Sequence, residues 1–170
     1  MAIYPFVKSP VSAFTDRSIG LRAAFGAGGV ALEAAILALE DEGELVGVAE
    51  TFLRARSPER DENLGVIAGI IDRVIADREI TKVDDIVERC NLNKRTMQRL
   101  FSRYVGVGPK WVIKRYRLHE AAEQAAGGAV DWPTLALDLG YFDQAHFIRD
   151  FKMIVGKAPA DYAQSLDTGF

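Results

Sequence analysis

Arg99-Leu-Phe-Ser-Arg-Tyr-Val-Gly-Val-Gly-Pro109 returns fifty residues later as Arg149-Asp-Phe-Lys-Met-Ile-Val-Gly-Lys-Ala-Pro159. The shared frame is R-x-F-x-x-x-V-G-x-x-P. Extended backwards, Met97 aligns with Phe147 and Asn93 with Asp143. A repeat at such a period is one supersecondary unit used twice. The unit reads as a helix, a tight turn and a second helix. In the first copy, Thr81-Lys-Val-Asp84 fits a capping box, with Thr81 as N-cap and Asp84 at N3. Val83, Ile86, Val87 and Cys90 follow at helical spacing. Asn91 suits the turn because Asn tolerates the left-handed conformation. Asn93 then caps a helix that buries Met97, Leu100, Phe101 and Tyr104. Its other face carries Lys94, Arg95, Gln98, Arg99 and Arg103.

The second copy runs from Asp131 as cap through Trp132 and Pro133, which a first turn tolerates, to Leu135, Ala136 and Leu139. Gly140 takes the turn and Asp143 caps the last long helix. Phe147, Phe151 and Ile154 point inward there; Gln144, Ala145, Ile148 and Arg149 lie on other faces. Two short helices joined by a three- or four-residue turn make a helix-turn-helix, whose second helix can enter a DNA major groove. Such a helix needs an apolar back and a front bearing Arg, Gln or Asn. Arg pairs with guanine and Gln with adenine through two hydrogen bonds each. A helical bundle with a solvated basic face explains one copy equally well. Two copies with matched second helices favour DNA.

At these residues the chain resembles the DNA-binding domain of the AraC/XylS family of bacterial transcription regulators. The resemblance spans about Leu64 to Gln164. Its most specific part is Leu137-Asp-Leu-Gly-Tyr-Phe-Asp-Gln-Ala-His-Phe-Ile-Arg-Asp-Phe-Lys152, followed by Gly156-Lys-Ala-Pro159. The resemblance implies a homeodomain-like, all-α fold of seven helices, with a long helix joining two helix-turn-helix modules. It implies two recognition helices inserted into successive major grooves on one DNA face. Departures from the family pattern are Gly108 and Ala158, where a Ser or Thr N-cap is usual, Phe142 in a commonly polar turn, and Asp150 beside Arg149. Ala as cap costs about 1 kcal/mol against Ser.

The 170 residues suit one or two small domains, and 49% hydrophobic with 26% charged content is ordinary for a globular chain. No run of 18 apolar residues exists, so no membrane span is expected, and no signal peptide is visible. The single cysteine, Cys90, rules out an intrachain disulfide and reads as a small core residue. One Cys and two His make no convincing zinc site, and nothing in the pattern asks for a metal or cofactor. Net charge is −3, which at first sight opposes nucleic acid. Its distribution does not: 1–79 holds 8 Lys+Arg against 13 Asp+Glu, whereas 80–164 holds 13 against 10. Local clustering governs phosphate attraction more than net charge does.

Ahead of the repeats, Ile3, Tyr4, Phe6 and Val7 suggest a short strand broken by Pro5 and Pro10. Ile19, Leu21 and Phe25 suggest a short element that Gly26, Gly28 and Gly29 end. The glycines lack a phosphate-loop frame. Val30 to about Leu39 reads as an Ala-rich helix, and Asp41-Glu-Gly-Glu44 as a break. Leu45, Val48, Ala49, Phe52 and Leu53 mark an amphipathic helix ending near Arg56, with Ser57-Pro58 as its stop. Arg60-Asp-Glu-Asn63 is the expected linker, and Ile67, Ile70, Ile71 and Val74 stripe the next helix. Between the repeats, 110–126 forms the connecting helix, basic at Lys110, Lys114, Arg115 and Arg117 and ended by Gly127-Gly128. Pro159 to Gln164, with Tyr162, closes the domain.

The expected organisation is a helical N-terminal segment over 1–62, a linker or remnant of a regulatory domain. An AraC-like DNA-binding domain follows over 63–164, and a tail over 165–170. The expected function is a sequence-specific DNA-binding transcription regulator. The alternative is an interaction or dimerisation module acting through the acidic N-terminal helices. Expected base contacts are Arg95, Gln98, Arg99, Gln144, Ala145 and Arg149; expected phosphate contacts are Lys94, Thr96, Arg103, His146 and Lys152. No catalytic constellation is visible, so an enzyme is not expected. Expected partners are double-stranded DNA and, as a further candidate, RNA polymerase, for a monomer or homodimer in the cytoplasm, associated with the nucleoid. The first module carries four cations and no acid over 93–105, so it is expected to supply more affinity than the second. Asp150→Asn is then expected to tighten binding, with pairing of Asp150 to a neighbouring cation or its orienting of Arg149 as the alternatives.

Overall fold

The second helix of each repeat ends at a glycine with positive φ, Gly106 at 92° and Gly156 at 93°. The proline three residues on opens the next helix, Pro109 in one copy and Pro159 in the other. The V-G-x-x-P frame is therefore a helix stop followed by a helix start, written twice. Glycine ends the helix because it alone adopts this conformation without a Cβ penalty, and proline starts the next because its missing N–H is not needed there.

The computed structural model describes residues 3–56, 60–126 and 130–167. They form helices and turns, with no strand among the described residues. The order is α1 (Tyr4–Val7), a 3₁₀ turn (Val11–Ala13), α2 (Leu21–Phe25), α3 (Ala27–Leu37), α4 (Glu42–Ala55) and α5 (Glu62–Ala76). Then come α6 (Val83–Cys90), α7 (Lys94–Tyr104), α8 (Pro109–Ala126), α9 (Trp132–Asp138), α10 (Gln144–Val155) and α11 (Pro159–Asp167). The expected stops Ser57-Pro58 and Gly127-Gly128 lie outside the described residues. The chain divides into two compact units, one holding residues up to Ala68 with Gln98–Val107, the other Gly69–Met97 with residues from Gly108 onward.

In the first unit, α2, α3 and α4 pack in chain order. The Phe25 and Phe52 rings meet edge to face at 5.2 Å, and the Arg56 guanidinium lies 3.7 Å from the Phe52 centroid. Three expectations are corrected here. Tyr4–Val7 is a helical turn and not a strand, because Pro5 sits at its start, where proline fits a helix. Gly28 and Gly29 lie inside α3 and do not end a helix; only Gly26, with φ 63°, does so. A Cβ on Gly29 would overlap the Leu21 carbonyl, so this glycine permits the close approach of α2. Asp41-Glu-Gly-Glu44 is not a break: Asp41 caps α4 by accepting from the Glu44 N–H at 3.0 Å.

The same unit holds the second half of α7. The Tyr104 hydroxyl donates to Asp61 at 2.6 Å, and its ring meets the Tyr4 ring at 4.9 Å. Thr15 donates to the Gly106 carbonyl at 2.8 Å, and the hydroxyls of Ser12 and Ser102 are 2.8 Å apart. The Tyr104 hydroxyl holds the Asp61 carboxyl below its ordinary pKa, while burial and then Asp61 push Tyr104 above its own.

In the second unit, Leu118, Ala121, Ala122, Leu135, Ala136, Tyr141, Phe147 and Phe151 form a buried cluster, with Trp132 and Tyr162 packed against it. Trp132, Phe147 and Phe151 interlock at centroid distances of 5.6–6.2 Å. At about 1.5–3 kcal/mol for each buried large side chain, this cluster dominates the stability of the second module.

Candidate nucleic-acid interface

Both turns of the repeat form as their residues require. Asn91 adopts φ 50° after α6, and Gly140 φ 74° after α9. Asn93 caps α7 by accepting from the Thr96 N–H at 2.8 Å. Asp143 caps α10 by accepting from the His146 N–H at 2.7 Å, and Asp131 caps α9 through the Thr134 N–H at 3.3 Å. The cap of α6 falls one residue later than expected. Lys82 is the N-cap, and Asp85 accepts from the Thr81 and Lys82 N–H groups at 2.9 Å each. Burial pushes the Asp85 carboxyl up, but these donors outweigh it and leave its pKa below the ordinary value.

Helix α7 buries Met97, Leu100, Phe101 and Tyr104. Arg95, Gln98, Arg99 and Arg103 are exposed on it. Lys94 is exposed but ion-paired with Asp84 at 2.6 Å. Thr96 is half-buried. The Arg103 guanidinium lies 5.2 Å from the Tyr4 centroid, which fixes its stem near the end of the helix. Helix α10 buries Phe147 and Phe151 and exposes Gln144, Ala145, Ile148, Arg149 and Lys152. All six expected base-contact residues are thus exposed, three on each helix. His146 stands apart: it is half-buried, with Nε2 3.2 Å from Lys114 and 3.3 Å from Asp150.

Asp150 does not share the exposed face of Arg149. Its side chain is only 14% exposed and pairs with Lys114 from α8. The acid is therefore neutralised inside the module. Tyr141 adjoins this pair, and burial first and the Asp150 carboxylate second push its hydroxyl well above the ordinary phenol pKa. That hydroxyl is buried without a hydrogen-bond partner among the described residues.

Arg117 also departs from its expected place on a basic surface. It is 1% exposed. Its guanidinium donates to the carbonyls of Ile80 at 3.1 Å and Asp77 at 2.8 Å, to that of Val74, and to the Glu120 carboxylate. These carbonyls close the end of α5 and the loop after it, where a helix leaves its acceptors unpaired. The signal was present in the spacing: Ile113, Arg117 and Ala121 lie at i, i+4 and i+8, and all three are buried. The Lys114–Asp150 pair joins helices 36 residues apart and had no such signal.

A profile of the helix-turn-helix domain family matches residues 86–165. This interval holds most of α6, all of α7 to α10 and most of α11. Residues 86–165 are a helix-turn-helix domain, similar to those of AraC-like regulators. A Streptomyces lividans protein whose name includes the words AraC-like transcription regulator is 28% identical over 107 residues, covering 58% of this chain and 35% of that one. The HTH-type transcriptional activator AarP of Providencia stuartii is 32% identical over 88 residues, covering 52% of this chain and 64% of AarP. An uncharacterized HTH-type transcriptional regulator of Haemophilus influenzae is 25% identical over 84 residues, 49% of this chain and 28% of its own. The chain spans between 28% and 64% of the length of these relatives. No solved structure matches it. Among the described residues, no helix is long and apolar enough to cross a membrane, and no group of three or more His, Cys, Asp or Glu is placed to hold a metal.

Proposed function

We propose that the AraC-type domain makes this chain a sequence-specific, non-enzymatic transcription regulator of double-stranded DNA. On this reading α7 and α10 are recognition helices that enter successive major grooves. One observation carries it: each helix follows a capped turn, buries its aromatic face and leaves its Arg and Gln face exposed. Arg95, Gln98 and Arg99 read bases from α7, and Gln144, Ala145 and Arg149 from α10. Bidentate Arg and Gln pairs give sequence, and Lys94, Thr96, Arg103, His146 and Lys152 give position through phosphates. Lys94 must exchange Asp84 for a phosphate to do so. The DNA-binding domain extends over 63–164, and the cytoplasmic nucleoid is where such a protein works. RNA polymerase is the natural further partner of a regulator.

Selection of binding sites from random duplex DNA tests the reading; recovery of no enriched sequence overturns it. The salt dependence offers a second check. Neutralising roughly six phosphates gives log affinity a slope near about −5 against log salt. A slope near zero contradicts groove binding.

A further inference from the structure

Beside the Lys114–Asp150 pair, within the second unit, lies a cleft of about 350 Å³. One wall is the start of α6 at Thr81, Lys82 and Val83; the other is the turn from Leu139 to Phe142. The two walls approach closely at Gly140, where a Cβ would stand 3.4 Å from that of Thr81. Lys110 and Lys114 of α8, with His146, complete the lining.

The charges around the cleft do not cancel. Lys114 is held by Asp150, and the Lys82 ammonium lies 4.0 Å from Asp85. Lys110 is exposed and has no ion pair among the described residues. Three lysines thus face two carboxylates, with His146 beside them. The Thr81 and Lys82 N–H groups are already taken by Asp85, so side chains supply the positive charge, not the helix end. The rest of the lining is apolar. Val83 and Leu139 are half-buried, Tyr141 is buried with no hydrogen-bond partner for its hydroxyl among the described residues, and Phe142 is 96% exposed. A large aromatic ring so fully exposed at the mouth of a cationic cleft leaves apolar area for a ligand to cover.

We propose that this cleft binds a small organic monoanion with an apolar body, a carboxylate on an aromatic or aliphatic frame. Its carboxylate sits between Lys82 and Lys110, and its body lies along Phe142 and Tyr141. A bare phosphate would use the lysines and leave the apolar wall uncovered, which is why the organic anion is favoured. The proposal does not rest on DNA reading: His146 alone of the lining lies on α7 or α10, and the proposed carboxylate contacts are Lys82 and Lys110.

The test is a titration of the full chain with 2-naphthoate followed by amide NMR shifts, alongside the neutral 2-naphthamide and inorganic phosphate. Naphthoate should give saturable shifts confined to 81–83, 110–114 and 139–146. The paired substitutions Lys82→Gln and Lys110→Gln should weaken binding tenfold or more, and Phe142→Ala should weaken it separately. All three residues are exposed, and unchanged melting of the variants shows that the fold is intact. Equal affinity for the amide means the lysines are not used, and equal affinity for phosphate means the aromatic wall is not used; either overturns the proposal. So does the absence of saturable shifts at millimolar naphthoate.

Discussion

Arg117 shows why a residue type does not by itself declare a surface. A guanidinium offers five donors in a planar fork, and here one side chain serves three carbonyls and a carboxylate. Lysine, a point charge with a different reach, cannot reproduce that fork. Arg117→Met should cost about 3–5 kcal/mol, since it strands buried carbonyls and leaves Glu120 with Arg78 alone. Arg117→Lys should recover only part of the loss. Chemical denaturation of the three proteins measures this, and a loss under about 1 kcal/mol for the Met variant would show that the carbonyls find other donors. Tyr141 makes the opposite case. Its hydroxyl makes no close hydrogen bond among the described residues, so Tyr141→Phe should leave stability at neutral pH unchanged or slightly raised. Because its folded pKa is raised, the folded protein keeps a proton that the unfolded chain releases. The stability due to that proton is present below the ordinary phenol pKa of about 10 and drains away as pH rises beyond it. Melting curves at neutral pH and at roughly pH 11 should therefore show the Phe variant gaining on the parent in alkali. An unchanged difference between the two pH values sinks the assignment.

At the scale of elements, α7 and α10 differ in how their charges are held, so we compare them by substitution. On α7, Arg95, Gln98 and Arg99 are exposed and make no ion pair among the described residues, and Arg99→Ala should cost about 1–3 kcal/mol of binding and relax one base preference. Arg149→Ala on α10 should cost less. Sequence alone suggests that Asp150 repels phosphate and that Asp150→Asn tightens binding. The pairing with Lys114 changes this: Asn leaves a half-buried ammonium without its carboxylate and loosens α10 against α8. Asp150→Asn should weaken binding and lower the melting temperature together. Isotherms and melts on one selected site decide between the two outcomes, and tighter binding with unchanged melting would restore the simple repulsion argument. The repeat, its caps at Asn93, Asp131 and Asp143, and its buried stripes were legible because they are local: one residue type at one spacing has one geometric use. The cap of α6 slipped by one residue because Thr81, Lys82, Asp84 and Asp85 admit two registers. Lys114 as the partner of Asp150 and the Gly29 approach were not legible, because each depends on a residue from another helix.

At the scale of the whole chain, the N-terminal segment and the second half of α7 share one compact unit. Tyr4, Thr15 and Asp61 reach Tyr104 and Gly106 there, while α9 and α10 lie wholly in the other unit with their own aromatic cluster. Removing residues before Asn63 should therefore act unequally. The aromatic cluster of the second unit keeps every member, so circular dichroism should still report a folded helical protein. The last turns of α7 lose a ring contact, a hydrogen bond to the Gly106 carbonyl and the charge-assisted bond of Tyr104 to Asp61. Bonds to charged groups contribute about 1.5–3 kcal/mol. Amide exchange at 100–106 should accelerate by ten-fold or more, roughly the effect of losing about 1.4 kcal/mol, while exchange at 147–151 stays as it was. Tyr104→Phe in the full chain should reproduce part of the change, through the lost bond to Asp61 alone. Uniform acceleration across both stretches would show that the N-terminal segment stabilises the whole chain as one cooperative body. No acceleration at 100–106 would show that these contacts carry no stability.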